Sequence, residues 1–136
     1  AEYNPFLLDV EFNTIQKDKK LASYLKKSKC KLLISWHDFK KTPNESQLKS
    51  RFKKMEKFSN VVKIVTVAKN VSDASRLLSL YSVKSKNKMV AFCMGDQGKF
   101  SRILCLHLGS PFTYVSLGKA IAPGQFSVDE IKSLEN

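Results

Sequence analysis

Short apolar runs alternate with amphipathic, lysine-rich segments along the chain, and this alternation restricts the fold more than any other feature. The clearest run is Val61–Val67, where every residue except Lys63 is apolar or β-branched. A run without polar alternation is typical of a strand buried on both faces of a parallel sheet. Strands that alternate with helices of about 10 to 15 residues imply βαβ units. The sequence therefore predicts an α/β protein with a parallel sheet.

The predicted elements follow one another from one end of the chain to the other. Five strands are expected, at residues 6–12, 31–36, 61–67 and 89–94 and in a short stretch after Leu104. Four helices are expected as well, each with apolar side chains at helical spacing. These apolar positions are Leu21, Tyr24 and Leu25; Leu48, Phe52, Met55 and Phe58; Ala74, Leu77, Leu78 and Tyr81 behind a Ser72 cap; and Val128 and Ile131 behind Ser127.

Composition is typical of a single globular domain. With 136 residues, 43% apolar and 26% charged, the chain can bury one core, and residues 1–136 are expected to form one domain. No window holds the roughly 18 apolar residues of a membrane span, and the first residues lack the basic start of a signal peptide. A cytoplasmic location is therefore expected. The three cysteines form no Cys-x-x-Cys pair, so neither a zinc site nor a redox site is predicted.

The net charge of +12 raises the question of nucleic-acid binding. The lysines cluster on the polar faces of predicted helices, where a run of charge is usually solvated. No RNA-binding or helix-turn-helix signature accompanies them. The sequence therefore predicts neither a specific nucleic-acid partner nor a membrane partner, although weak, salt-sensitive binding to polyanions fits this charge.

Lys63 is the one charged residue inside the most apolar predicted strand. Side chains alternate across a strand, so Lys63 shares its face with Val61, Val65 and Val67, which all resemble interior positions. Burial disfavours the charged form of a lysine and favours a neutral, nucleophilic amine, as Schiff-base chemistry requires. The alternative is that Lys63 lies on an exposed rim or reaches solvent with its long stem. The segment alone does not decide between the two.

Other polar residues fall at or near the carboxyl ends of the predicted strands, where α/β barrels hold their active sites. Asp9 and Glu11 share one face of the first strand, and His37 follows the second. Each also has a purely structural explanation. Asp9 and Glu11 can form an ion-pair network, and His37 can be a loop histidine whose hydrogen bonds are all satisfied. Arg102 can be a surface residue. An imine-forming lysine, a proton-transferring histidine and a carboxylate-binding arginine nevertheless form a working combination.

Six ordered motifs span almost the whole chain. They are Leu8-Asp9-Val10-Glu11, Ser35-Trp36-His37-Asp38-Phe39 with Thr42-Pro43, Val62-Lys63-Ile64, Met94-Gly95 with Ser101-Arg102, Gly109-Ser110-Pro111-Phe112-Thr113-Tyr114, and Ala122-Pro123-Gly124-Gln125. In this order they resemble the type I 3-dehydroquinate dehydratases, the Schiff-base enzymes of the shikimate pathway. The last two motifs in succession are the most specific part of the resemblance, whereas the acidic first motif alone is weak.

The resemblance implies a (β/α)8 TIM barrel, of which this chain supplies about the last five βα units. It implies a lyase that dehydrates 3-dehydroquinate to 3-dehydroshikimate in aromatic amino acid biosynthesis, without a metal or a dissociable cofactor. Lys63 would form an imine with the substrate ketone, and His37 would shuttle the protons. Asp38 belongs to the motif without an assigned role. The substrate-binding residues implied are Arg102 for the carboxylate, Gln125 on a closing loop, Met94 and Tyr114 as an apolar wall, and Asp9 and Glu11.

Two departures from the family pattern stand out. Ile121 lies where the family carries a small hydroxyl residue, so one substrate hydrogen bond is not accounted for. The family barrel also begins three strands before Asp9, and a complete barrel usually needs about 200 or more residues. The resemblance places in that missing front a glutamate that orients the histidine, together with further residues that contact the substrate.

We therefore expect the chain to be the carboxyl-terminal portion of a longer enzyme, with little activity until the amino-terminal barrel segment is supplied. Its partners would be the small-molecule substrate, that segment and, as an open option, a second copy in a homodimer. Two other functions stay open. A class I aldolase would also use a barrel lysine, although its phosphate-binding loop is not found near the end of this chain. A basic, non-catalytic binding module would carry the same residues without using them.

Overall fold

Four parallel strands form one sheet, and their order in space is their order along the chain. The computed structural model describes residues 5–134. The strands are β1 (Leu8–Glu11), β2 (Leu32–Asp38), β3 (Val61–Val67) and β4 (Lys88–Met94). Each neighbouring pair is parallel and is connected by at least one helix, as parallel strands require. This is the sequential βα order that the sequence pattern predicts.

Six α-helices complete the described part of the chain. They are α1 (Phe12–Lys17), α2 (Lys19–Lys27), α3 (Glu45–Met55), α4 (Val71–Leu78), α5 (Ser101–His107) and α6 (Val128–Leu134), with short 3-10 turns at Ser79–Ser82 and Asp96–Gly98. None of the helices in this part is long and apolar enough to cross a membrane.

Asparagine side chains fix where two central helices begin. Asn44 forms a reciprocal capping box with Gln47 at the start of α3. The side chain of Asn70 accepts the backbone N–H of Asp73 at 2.9 Å, so α4 begins one residue after Asn70. The predicted Ser72 cap is therefore wrong, because α4 begins at Val71 and Ser72 already lies inside its first turn.

The main core lies between the sheet and the helices, as alternation along the strands dictates. Ile34, Val62 and Ile64 point toward the helices and are fully buried against Leu48 and Phe52 of α3. Burying an aliphatic or aromatic side chain of this size stabilises a fold by about 1.5–3 kcal/mol. The helix-spaced apolar positions are therefore largely confirmed.

Apolar positions on two of the predicted helices are less buried than expected. Tyr24 is 58% exposed on α2, because Leu21 and Leu25 already occupy the strip of the helix that contacts the core. Val128 and Ile131 are only half-buried on α6, a helix with no fully buried residue. Single aromatic or aliphatic residues of this kind are common on protein surfaces.

The opposite face of the sheet carries the polar residues together with a smaller apolar cluster. Strand register places Glu11, Ser35, Lys63 and Val90 side by side across the four strands. Val65, Val90 and Phe92 form the buried part of the apolar cluster beside them. Lys63 therefore lies in the middle of the sheet, between a polar half on β1 and β2 and an apolar half on β4.

The predicted fifth strand after Leu104 is wrong, because residues 101–107 form α5 instead. Ser101 initiates this segment by donating to Gly98 and accepting the N–H of Cys93 at 2.8 Å. Between α5 and the end of α6, the only β pairing in the described residues is an isolated parallel bridge between Ser116 and Ser127. Four strands are thus described where five were expected.

The hydroxyl of Tyr81 caps the free edge of β4. It accepts the N–H of Ala91 at 2.8 Å and lies 3.4 Å from the Met89 carbonyl, to which it can donate. These are backbone groups that a neighbouring strand would otherwise pair. Burial raises the pKa of Tyr81 to about 12, so the hydroxyl keeps its proton near neutral pH. The side chain therefore protects an edge that would otherwise be open to another strand.

Candidate active site

Lys63 is buried on the polar face of the sheet. It is 8% exposed, which excludes the exposed-rim alternative. Its Nζ donates to Oδ2 of Asp9 at 2.9 Å and lies 4.5 Å from the centre of the Tyr114 ring. The amine is thus held between a carboxylate on β1 and an aromatic face, near the middle of β3.

His37 lies at the end of β2 and contacts a second carboxylate from β1. Its Nδ1 is 2.9 Å from Oε2 of Glu11, and its ring stacks on that of Phe39 at 5.5 Å. A carboxylate can only accept here, so Nδ1 carries the hydrogen and Nε2 is left to exchange a proton. The register pairs Ser35 with Lys63 and His37 with Val65, so His37 lies one step nearer the carboxyl edge than Lys63 and on the same face.

The contact between Glu11 and His37 is a feature that the sequence interpretation missed. Glu11 was assigned to substrate contact, and the orienting glutamate was expected upstream. Within residues 5–134, Glu11 is a carboxylate that holds Nδ1 of His37, and its other oxygen, Oε1, is buried without a hydrogen-bond partner. The signal was present, because Glu11 and His37 lie on one face of adjacent strands. To predict the contact between Glu11 and His37 from this signal, the strand register is needed, and the sequence did not supply it.

Arg102 lies at the start of α5 and is buried, not on the surface. It is 3% exposed, and its guanidinium lies 4.5 Å from the centre of the Phe92 ring. Its Nε is buried without a hydrogen-bond partner in the described part of the chain. Burial lowers the pKa of Arg102, but guanidinium groups remain charged near neutral pH. A buried cation with an unused donor is a suitable site for an anionic group.

Aromatic side chains connect the lysine to the arginine. Tyr114 contacts Phe92 and Phe112, each with ring centres 5.8 Å apart. Since Lys63 lies over Tyr114 and Arg102 lies over Phe92, the two cations flank one apolar wall. Met94, at the end of β4, packs partly buried against the same cluster. The predicted wall residues Met94 and Tyr114 thus lie beside the lysine and arginine.

The loop that carries Gln125 is fastened to the end of β4. The N–H of Gly95 donates to the carbonyl of Pro123 at 3.1 Å, and a Cβ on Gly124 would lie 2.3 Å from the Gly95 carbonyl oxygen. Oε1 of Gln125 accepts the N–H of Ile121 at 2.9 Å, so it shapes its own loop. The side chain of Ile121 projects into solvent. The predicted contact of Gln125 with substrate stays a prediction.

Substitution of Gly124 with alanine is expected to loosen this loop and lower activity. Gly124 has a φ of 71°, which disfavours other residues, and its Cβ would clash with backbone that has no room to move. We expect a loss of about 1–3 kcal/mol in loop stability, measured by thermal unfolding and protease cleavage. Gly118→Ala is the matched control, because nothing lies within 4 Å of its Cβ position. Equal behaviour of the two variants would contradict the fastening role.

Two further residues shape the segment that follows His37. Oδ1 of Asp38 accepts the N–H groups of Lys40 and Lys41 at 2.9 and 3.0 Å, which closes a turn. Oγ1 of Thr42 is buried and donates to the Val67 carbonyl at 2.9 Å or to Oγ1 of Thr66 at 2.7 Å. Asp38 therefore shapes the turn after His37, and Thr42 anchors this segment to β3, roles that the sequence interpretation did not assign.

Other reactive groups are less suited to chemistry than Lys63. Burial raises the pKa of the Cys93 thiol and of the Cys105 thiol, so both stay protonated and weakly nucleophilic. In the part of the chain that is described, His, Cys, Asp and Glu side chains form no group of three that could hold a metal ion. The arrangement thus offers a buried amine, a histidine with a carboxylate partner and a buried guanidinium on one side of the sheet.

The chain is similar in sequence and in fold to known proteins. The chain is 43% identical over 130 residues to a 3-dehydroquinate dehydratase of Pyrobaculum aerophilum, covering 94% of this chain and 41% of that protein. The crystal structure of the Aquifex aeolicus 3-dehydroquinate dehydratase matches with a TM-score of 0.80 and 32% identity, over 96% of this chain and 59% of that one.

A type I 3-dehydroquinate dehydratase from Clostridium difficile with covalently modified comenic acid matches with a TM-score of 0.81 and 27% identity, over 95% of this chain and 53% of that one. The chain thus spans between 41% and 59% of the length of these three relatives. The solved relatives are TIM-barrel enzymes, so the four-stranded sheet is an α/β arrangement of that type. The family model described as type I 3-dehydroquinase matches residues 1–135. The chain belongs to the type I 3-dehydroquinase family.

Proposed function

We propose that this chain carries the catalytic lysine and histidine of a 3-dehydroquinate dehydratase, a lyase of the shikimate pathway that forms 3-dehydroshikimate through an imine on Lys63. The observation that carries the proposal is the burial of Lys63 on one sheet face with His37, together with a buried Arg102 whose Nε has no hydrogen-bond partner in residues 5–134. A buried amine serves imine formation, and a buried cation with free donors serves a carboxylate. The substrate, a cyclic keto-acid, has both groups.

The first step is attack of the Lys63 nitrogen on the substrate ketone. The ammonium must first give up a proton, and the Asp9 carboxylate at 2.9 Å is placed to accept it. A C–N bond then forms, the ketone oxygen is protonated and leaves as water, and an iminium remains. This cation acts as an electron sink for the next step.

The second step is elimination with His37 as the proton shuttle. Nε2 of His37 takes a proton from the carbon next to the iminium, and the electron pair of that C–H bond forms an enamine. The neighbouring hydroxyl then leaves as water with a proton from His37, and a C=C bond forms. Hydrolysis of the iminium returns the free amine of Lys63. Glu11 keeps Nδ1 of His37 protonated throughout.

The remaining residues hold the substrate and exclude water. Arg102 would bind the carboxylate with two parallel hydrogen bonds, which its planar guanidinium favours. Tyr114 and Met94 would contact the ring, while the loop of Gln125 would cover the site and limit premature hydrolysis of the imine. Closing that loop would place the Gln125 amide over the substrate oxygens. No cofactor is required for these steps.

The direct test of the proposed function is to measure turnover of 3-dehydroquinate. The absorbance of the conjugated product reports the rate. Arg102→Lys is the informative variant, because it keeps the charge and loses the bidentate geometry. We expect KM to rise more than tenfold with a smaller change in kcat. Turnover of phosphorylated sugars, without turnover of 3-dehydroquinate, would contradict the proposal and favour an aldolase.

We propose further that full activity requires βα units that precede β1. Within residues 5–134, β1 pairs with β2 on one side only, and the relatives extend well beyond the region that this chain matches. An unpaired edge strand tends to pair with another strand. A preceding segment would use this edge and place further side chains around Lys63 and His37.

The chain of residues 1–136 alone is expected to turn over substrate at least about 100-fold more slowly than the same chain preceded by the missing units, because orientation by surrounding groups is lost. The measurement is kcat/KM for both forms, with circular dichroism to establish that each is folded. Equal turnover by the two forms would contradict the requirement. A homodimer is a separate proposal, which analytical ultracentrifugation of the longer form tests.

A further inference from the structure

A continuous basic groove runs along the outside of α3 and across the loop before β4. Its first part is a shallow, solvent-open cavity of about 400 Å³, and its second part is an even more open cavity of about 610 Å³. Both cavities are lined by Lys57, which joins them. The groove also includes five other lysines: Lys49, Lys53, Lys54, Lys84 and Lys86.

Most of this positive charge is not neutralised by the protein. Lys49 pairs with Glu45, but no carboxylate lies within ion-pair distance of the other five lysines in residues 5–134. The one acidic residue of the groove, Glu56, accepts hydrogen bonds from Ser85 at 2.7 Å and from Asn87 at 3.3 Å. Glu56 therefore joins the end of α3 to the loop and builds the wall of the groove, while the lysines face solvent.

The spacing of the lysines along α3 gives the groove a direction. Lys49 and Lys53 are four residues apart, which on a helix corresponds to a rise of about 6 Å. Lys57 follows four residues later, just beyond the end of α3. Like charges four residues apart destabilise a helix, and a bound row of anions would remove that repulsion. The groove is therefore suited to a ligand with repeated negative charges.

The chemistry of the lining favours phosphate groups over a protein or a membrane. Serine, asparagine, glutamate and lysine are the residue types that line the two cavities, and no aromatic or aliphatic residue contributes. Protein interfaces usually have aromatic anchors and few lysines, and membrane-binding surfaces have apolar residues to insert. Lysine binds phosphate as a compact point charge. Without aromatic side chains to stack on bases, recognition would be confined to the backbone of a nucleic acid.

The groove is separate from the candidate active site. Glu56 and Lys57 lie between α3 and the start of β3, and residues 84–87 precede the start of β4. These positions are at the amino ends of the strands, whereas His37, Met94 and the Gln125 loop lie at the carboxyl ends. Substitutions in the groove can therefore be made without touching the catalytic residues.

We propose that this groove binds the phosphodiester backbone of a nucleic acid without sequence preference, in addition to the proposed dehydratase function. Five unpaired lysines predict a strong salt dependence. On a single strand each neutralised phosphate contributes about 0.7 to the slope of log K against log salt, so full engagement of the five lysines gives a slope of about −3.5.

The test is fluorescence anisotropy of a labelled oligouridylate over a series of salt concentrations, with the chain preceded by the proposed βα units. The variant Lys53→Gln/Lys57→Gln/Lys86→Gln should weaken binding more than tenfold at low salt and reduce the slope by about 2. Its matched control is Lys19→Gln/Lys20→Gln/Lys27→Gln, which removes the same charge from exposed lysines of α2. The control should bind nearly as the wild type, and both variants should keep their unfolding temperature.

The following outcomes distinguish nucleic-acid binding in the groove from binding by net charge and from binding of an acidic protein. Oligothymidylate should bind like oligouridylate, because only the backbone is contacted, and such a result supports the proposal. Equal loss of binding in both triple variants would overturn it, since net charge rather than the groove would then be responsible. Polyglutamate that binds as tightly as the oligonucleotide, with the same loss in the groove variant, would also overturn it in favour of an acidic protein partner. A slope near zero would exclude backbone binding.

Discussion

Replacement of Lys63 with methionine is expected to abolish imine formation and to reduce kcat by roughly 10⁴-fold or more, the scale on which loss of a covalent nucleophile acts. Methionine fills similar apolar space but has no nitrogen to attack a ketone. The protein should remain folded, because the Asp9 carboxylate left behind is 42% exposed and can be hydrated. The measurement is turnover of 3-dehydroquinate by the variant chain preceded by the proposed βα units, with circular dichroism to establish that it is folded.

Lys63→Arg separates the loss of the nucleophile from the loss of the charge. Arginine keeps a cation that can pair with Asp9 but forms no imine at neutral pH, since its guanidinium stays protonated. We expect Lys63→Arg to be as inactive as Lys63→Met. Substantial turnover by either variant would show that the amine is not the nucleophile and that Lys63 only neutralises Asp9.

Replacement of His37 with alanine is expected to reduce kcat by about 10² to 10⁴-fold, the usual contribution of a general acid or base. The imine on Lys63 should still form, because the histidine acts after the C–N bond is made. Borohydride reduction of the variant with substrate should therefore still give an adduct, while turnover is nearly lost. The two readouts together separate proton transfer from imine formation.

The variant Glu11→Gln tests whether Glu11 positions His37. A glutamine can accept or donate, so it no longer fixes the hydrogen on Nδ1 or stabilises the protonated ring. We expect a smaller loss in kcat than in His37→Ala, with little change in KM and an altered pH profile of kcat. A Glu11→Gln variant that matches the wild type in kcat and in pH profile would remove Glu11 from the mechanism, leaving the orienting role to a residue upstream.

The parts of the fold that were predicted are those in which local pattern and burial agree. Apart from Lys63, β3 carries apolar or β-branched residues on both faces, because helices cover one face and the Val65 cluster adjoins the other, and this run identified the strand. Helix α3 was predicted from the spacing of Leu48, Phe52 and Met55, all of which are buried. In both elements the residues that favour the local structure are also those that pack in the core.

The error after β4 has a physical reason. The segment Ser101–His107 is short and mostly apolar, so periodicity does not distinguish a buried helix from a strand. The tertiary setting decides, because Ser101 bonds to the backbone of β4 and Tyr81 occupies the β4 edge that a fifth strand would need. Neither interaction is local in sequence. Residues 1–4 and 135–136 lie outside the described part, and the predicted elements do not depend on them.

The candidate site was predicted in its residue types but not in its contacts. Lys63, His37 and Arg102 followed from unusual polar residues and ordered motifs. The pairs of Lys63 with Asp9 and of His37 with Glu11 depend on how β1 lies beside β2 and on how long side chains reach across a strand. A one-residue change of register would reverse every side chain, so these pairs could not be derived before the register was known.

Imine formation on Lys63 can be measured by borohydride reduction of the chain, preceded by the proposed βα units, in the presence of 3-dehydroquinate, followed by intact mass spectrometry and peptide mapping. We expect one adduct, on Lys63, that is absent without substrate and absent in Lys63→Met. Substrate-dependent labelling of another lysine would contradict the assigned nucleophile. No adduct from a folded protein that turns over 3-dehydroquinate would contradict the imine mechanism itself.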